Sequence, residues 1–185
     1  MSTIKGKVLA LVAALAIGAS AVAAAPVSSP QGDARMANKV RKELVTLPYY
    51  GMFDNLAYKI EGGTVTLYGQ VVDAVTRKDA ENRVKRIEGV ERVINNIQVL
   101  PVSGFDNTIR VRTYRAIARQ GGLYRYFMGA VPSIHIIVDG GHVTLKGVVD
   151  NEGDDTQAKL AANQVPGVFS VKDELQVQNQ KNDKK

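Results

Sequence analysis

IEGGTVTLYG runs from Ile60 to Gly69, and VDGGHVTLKG runs from Val138 to Gly147. The frame GG-x-V-T-L-x-G recurs at an offset of 78 residues in a chain of 185. In the first stretch Leu56, Tyr58 and Ile60 alternate with polar neighbours, Gly62-Gly63 supplies a turn, and Val65, Leu67 and Val71 follow. In the second, Ile134, Ile136 and Val138 precede Gly140-Gly141, with Val143 and Leu145 beyond. A two-residue period broken by glycines that accept positive φ predicts a hairpin with one apolar face.

Outward from each hairpin the pattern changes period. Ala80, Val84 and Ile87 in the first copy, and Ala158, Ala162 and Val165 in the second, recur at helical spacing. Gly89 and Gly167 stand where helices commonly end. A further strand follows in each copy, carrying Val93, Ile97 and Val99 or Val171, Leu175 and Val177. A strand, a helix and a strand joined by short connections predict a last strand parallel to the one before the helix.

Ahead of the first hairpin, Met36, Ala37, Val40, Leu44 and Leu47 fall on one helical side. Its counterpart, from about Asn107 to Gln120, has Tyr114, Ile117 and Ala118 on its apolar side. The expected fold class is therefore α+β. Two tandem small domains each run helix-strand-strand-helix-strand, with a three-stranded mixed sheet covered on one face by two helices. The expected boundaries are a signal peptide over 1–25, a flexible segment over 26–34, and a first domain over 35–102. A linker over 103–106, a second domain over 107–178 and a disordered tail over 179–185 complete the chain.

The leader is read from Lys5 and Lys7, the apolar run Val8 to Ile17, and the small residues of ASAVAAAP. This is the pattern of a cleaved secretory signal, with the cut near Ala23–Ala25, and it predicts a periplasmic protein. Without Lys5 and Lys7 the basic residues number 22 against 18 acidic ones, so the net charge falls from +6 to +4. That surplus suits an anionic surface, while export argues against nucleic acid as a partner. The chain has no cysteine, which excludes disulfides, thiolate catalysis, cysteine metal sites and a lipidated cysteine.

In sequence order, the hairpin frame with a following valine (Val71; Val148 or Val149) leads to a helix closing in Gly-Val (Gly89-Val90, Gly167-Val168). The strand pattern V-x-x-x-L/I-x-V comes next, and the whole arrangement occurs twice over about residues 35–178. This resembles the BON domain family, and most of all its osmotically inducible periplasmic members with tandem copies. The resemblance implies binding to anionic phospholipid or envelope surfaces, a role in envelope integrity under osmotic stress, and no enzyme activity. One departure is the stretch GGLYRYFMGAVPS before the second hairpin, where the first copy has PYYGMFDN.

The residues themselves offer little for catalysis. His135, expected on the outward side of a strand, and His142, in the hairpin turn, are expected to be solvated. With no cysteine and no second histidine at i+3 or i+4, no metal or other cofactor is expected. Asp73, Asp154 and Asp155 read as helix-start residues. The functional signal is NTIRVRTYRAIARQ, where Arg112, Arg115 and Arg119 share one helical side opposite Tyr114 and Ile117. Tyr124, Arg125, Tyr126 and Phe127 follow directly, beside Leu123 and Met128. Guanidinium groups pair with lipid phosphates while rings enter the headgroup layer, so these seven residues form the candidate lipid-binding set. Tyr49, Tyr50 and Phe53 hold the matching stretch of the first copy, which speaks for a structural role for some of the rings. The first helix is also basic (Arg35, Lys39, Arg41, Lys42), but its charges spread around the cylinder and Glu43 interrupts them. The alternative reading is a protein-interaction or chaperone-like module that holds other exported or envelope proteins at open strand edges or apolar patches.

Overall fold

The computed structural model describes residues 30–178. The expected signal peptide, residues 26–29 of the expected flexible segment and the tail over 179–185 lie outside them. Eleven elements follow in order. The first repeat holds α1 (Pro30–Val45), β1 (Asn55–Glu61), β2 (Thr64–Val71), α2 (Ala74–Val84) and β3 (Arg92–Val99). The second holds α3 (Gly104–Ala118), a 3-10 turn (Leu123–Phe127), β4 (Ile134–Asp139), β5 (His142–Val149), α4 (Glu152–Asn163) and β6 (Ser170–Val177).

Each repeat is the expected α+β unit. The sheets have the orders β1-β2-β3 and β4-β5-β6. The first two strands of each are antiparallel, in registers such as Leu56 with Gly69 and Ile134 with Gly147. The third strand pairs parallel with the second, Val65 opposite Val93 and Val143 opposite Val171. Val65, Leu67 and Val71 thus meet Val40, Leu44, Ala80 and Val84 in one core. Ile134, Ile136, Val138, Val143 and Leu145 meet Ile109, Ile117, Ala158 and Ala162 in the other.

Helix starts follow local capping chemistry. Asp73 caps α2 by accepting from the Val75 amide at 2.8 Å, and Asn151 caps α4 by accepting from Asp154 at 3.0 Å. Ser103 caps α3 in the same way, accepting from the Asp106 amide at 3.1 Å. The linker expected over 103–106 is therefore the cap and first turn of α3, which starts earlier than the expected Asn107. At the other end of the chain, residues 30–34 belong to α1 and are helical, where a flexible segment is expected.

The repeats differ at β4. Residues 134 to 138 are buried on both faces, whereas β1 alternates between half-buried and exposed positions. The difference comes from the first repeat's 48–54 connection. Met52 and Phe53 pack against the second core, and the Met52 carbonyl accepts from the Ile136 amide at 2.7 Å on the open edge of β4. A strand edge left with free amides is a site for pairing with other chains, and part of this one is occupied from within.

Candidate functional site

Four residues meet at the seam between the repeats. Asp54 is only 4% exposed, and its carboxylate accepts from the Gly51 amide at 2.9 Å and the Val72 amide at 2.7 Å. The Tyr50 ring lies 5.6 Å from the His135 ring, tilted by 34°. Arg110, on α3, is buried; its Nη2 donates to the Val138 carbonyl at 2.7 Å and its Nε has no partner. His135 is buried rather than solvated, because the first repeat covers the outward face of β4.

Burial holds the His135 imidazole below its ordinary range, with the backbone of Asp54 and Gly51, and then the Asp54 carboxylate, acting in the opposite direction. The folded value lies below the unfolded one, so the unfolded chain takes up the proton first. This contribution to stability is complete above about pH 6.5 and is lost as pH falls through the folded value. Around it, burial pushes the Tyr50 hydroxyl up to about 12, and burial also raises the Asp54 carboxyl and lowers the Arg110 guanidinium. Asp54 works in the opposite sense to His135, so the difference between proteins is the readout. The loss of urea resistance between about pH 8 and pH 5 is expected to be smaller in His135→Gln than in the parent. An identical loss would show that His135 does not titrate on unfolding.

The expected lipid-binding residues separate into two groups. Arg112, Arg115 and Arg119 are exposed along α3. Among the described residues, no carboxylate oxygen lies within 4.0 Å of any of them. They line one side of a groove of about 370 Å³ whose other side is Ala161, Val165 and Pro166 at the end of α4. Tyr124 is also exposed, at 57%.

Tyr126 and Phe127 do not belong to that surface, which corrects the expectation. Both are core residues, 5% and 9% exposed, and Tyr114 meets Phe127 edge-on at 5.0 Å. The Tyr126 hydroxyl donates to Asp154 Oδ2 at 2.6 Å and accepts from the Asp150 amide at 2.8 Å. Burial and the Asp154 bond push that hydroxyl up to about 12. Arg125 is exposed but engaged: its guanidinium lies 4.4 Å from the Tyr126 ring centroid and pairs with Asp150 and Asp154. Tyr126→Phe leaves a buried carboxylate short of a donor and is expected to cost about 1–2 kcal/mol. Urea unfolding measures that cost, and vesicle binding should not change.

The aromatic partners of the arginines are elsewhere. Phe105, Arg112 and Arg119 stand seven residues apart, which returns a helix to nearly the same side. Phe105 is 50% exposed, and its ring lies 6.0 Å from that of Phe169, itself 69% exposed just ahead of β6. His142 packs edge-on against Phe169 at 5.9 Å, and its Nδ1 lies 2.8 Å from Ser170 Oγ. Among the described residues the first repeat has no such pair: Glu91, 78 positions before Phe169, lies against Gly63 where Phe169 lies against Gly141. The seven-residue spacing of Phe105 was available in the sequence. The approach of Phe169 from the α4–β6 connection was not.

Two tandem α+β units, the second with an arginine row that has no carboxylate partner among the described residues, define a small two-repeat protein. The chain belongs to the BON domain family, whose model matches residues 32–101 and 105–179. No curated protein matches the chain. Among solved structures it is similar to CdsD, described as a structural protein of the type III secretion system of Chlamydia trachomatis. That match has 10% identity and a TM-score of 0.29, and covers 76% of this chain and 91% of the other. The CdsD C-terminal domain is similar at 10% identity and a TM-score of 0.27, covering 76% and 96%. Among the described residues no helix is long and apolar enough to cross a membrane.

Proposed function

We propose that this is a non-enzymatic periplasmic protein that binds anionic phospholipid at envelope surfaces and supports envelope integrity under osmotic stress. The observation that carries the reading is the row Arg112, Arg115 and Arg119, free of carboxylate partners among the described residues, with Phe105 and Phe169 exposed at its end. Each basic residue at an anionic leaflet contributes about 1 kcal/mol. Three give a weak attachment on their own, and rings entering the headgroup layer add apolar burial. The family's association with phospholipid binding and with envelope stress proteins supports the same reading. Tyr124 stays in the proposed surface, whereas Arg125 is tied to the fold.

Sedimentation with vesicles tests this. Binding is expected with phosphatidylglycerol vesicles at low salt, little with phosphatidylcholine alone, and less as salt rises. Equal sedimentation with both vesicles would overturn the reading. The alternative, client binding at open strand edges, draws support from β3 and β6, the outer strands of their sheets. Protection of an unfolded client without lipid would favour it.

A further inference from the structure

The seam between the repeats forms a cleft, open to solvent on one side, of about 500 Å³, separate from the arginine groove and sharing no residue with it. Volumes of about 300–1,000 Å³ at domain boundaries are typical of small-molecule sites. Leu44 and Val45 of α1, Leu56 of β1 and Val148 of β5 give it apolar walls. Arg41 also lines it. Neighbouring charged groups on α1 are paired, Lys39 with Glu88 and Glu43 with Arg83, both at 3.4 Å. Arg41 has no carboxylate within 4.0 Å among the described residues, so its guanidinium is available to a ligand.

A second observation comes from His135, which lines the same cavity, is only 7% exposed, and has a buried Nδ1 with no hydrogen-bond partner. Unmet buried polar atoms are rare and commonly mark a missing partner. The Tyr58 hydroxyl is not available, because it donates to the Ala37 carbonyl at 2.8 Å. One available cation, one unmet imidazole nitrogen and four aliphatic side chains describe a ligand with a single anionic head and an apolar body. We propose that the seam cavity binds one single-chain anionic amphiphile, its carboxylate or phosphate head at Arg41 and its chain against Leu44, Val45, Leu56 and Val148. The proposal does not depend on bilayer attachment through α3.

Calorimetric titration of the purified protein with decanoate, decyl phosphate and decanol tests it. Saturable single-site binding is expected for one or both anionic compounds, and their ratio tells which head is preferred. Arg41→Gln should weaken binding by about tenfold or more, the loss of one charge-assisted contact. Val148→Trp should block the cavity, and Arg112→Glu with Arg115→Glu should leave this binding unchanged. The proposal is overturned by an absence of saturable binding or by decanol binding as tightly as the anions. Binding that survives both Arg41→Gln and Val148→Trp, or that is lost with the α3 pair, overturns it as well.

Discussion

Gly147→Ala is expected to destabilise the second repeat by more than about 3 kcal/mol, a large share of the 5–15 kcal/mol typical of a folded domain. Gly147 has φ of +122°, a region that side chains rarely adopt. A Cβ there would sit 1.9 Å from the Ser133 carbonyl oxygen and 3.0 Å from its carbon. Those atoms are backbone at the mouth of the paired strand, and the same carbonyl accepts from the Val148 amide at 2.9 Å. Relief would require the two strands to part. Gly69 stands in the same place in the first repeat, with φ of +116° and the Asn55 oxygen 1.9 Å from a built Cβ. Gly140→Ala is the control: its φ is +58°, and nothing lies within 4 Å of its Cβ. That change should cost about 1 kcal/mol, the penalty for a left-handed alanine alone. Urea unfolding of both variants measures the difference, and similar midpoints would show that the strands give way easily.

The final glycine of GG-x-V-T-L-x-G marks what the sequence could and could not tell. The hairpins, both helices of each repeat and the parallel third strands follow from periodicity, because each buries one side of a regular element. The reason for Gly69 and Gly147 is a close approach to a neighbouring strand, which no period encodes. The seam was hidden for the same reason. Tyr50, Met52 and Asp54 lie in an irregular connection, and their contacts with His135 and Ile136 span about 80 residues of chain. Arg110 lies in an arginine-rich helix yet is buried, because it turns toward the Val138 carbonyl instead of solvent. At the arginine face, chain proximity misled. Tyr126 and Phe127 come soon after Arg119 but face the core, while Phe169 comes from the turn before β6, fifty residues beyond it.

Charge reversal at Arg112 and Arg115 is expected to abolish binding to phosphatidylglycerol vesicles and leave the fold intact. Two positive charges are lost and two negative ones gained. At about 1 kcal/mol per charge near an anionic leaflet, the change is roughly 4 kcal/mol, or about a thousandfold in partitioning. Both side chains are exposed and neither takes part in an ion pair among the described residues, so thermal midpoints should move little. Net charge changes as well, and a matched pair on the first repeat separates the two effects. Lys78 and Arg86 are exposed and form no ion pair among the described residues. Lys78→Glu with Arg86→Glu makes the same change in total charge away from α3. If binding follows the local face, the α3 pair loses it and the matched pair keeps most of it. If both variants lose binding equally, attraction is set by overall charge and the α3 face is not the site. Phe105→Ala with Phe169→Ala then tests the rings: weaker sedimentation with an unchanged salt dependence is the expected result, because apolar burial is lost and the phosphate contacts remain.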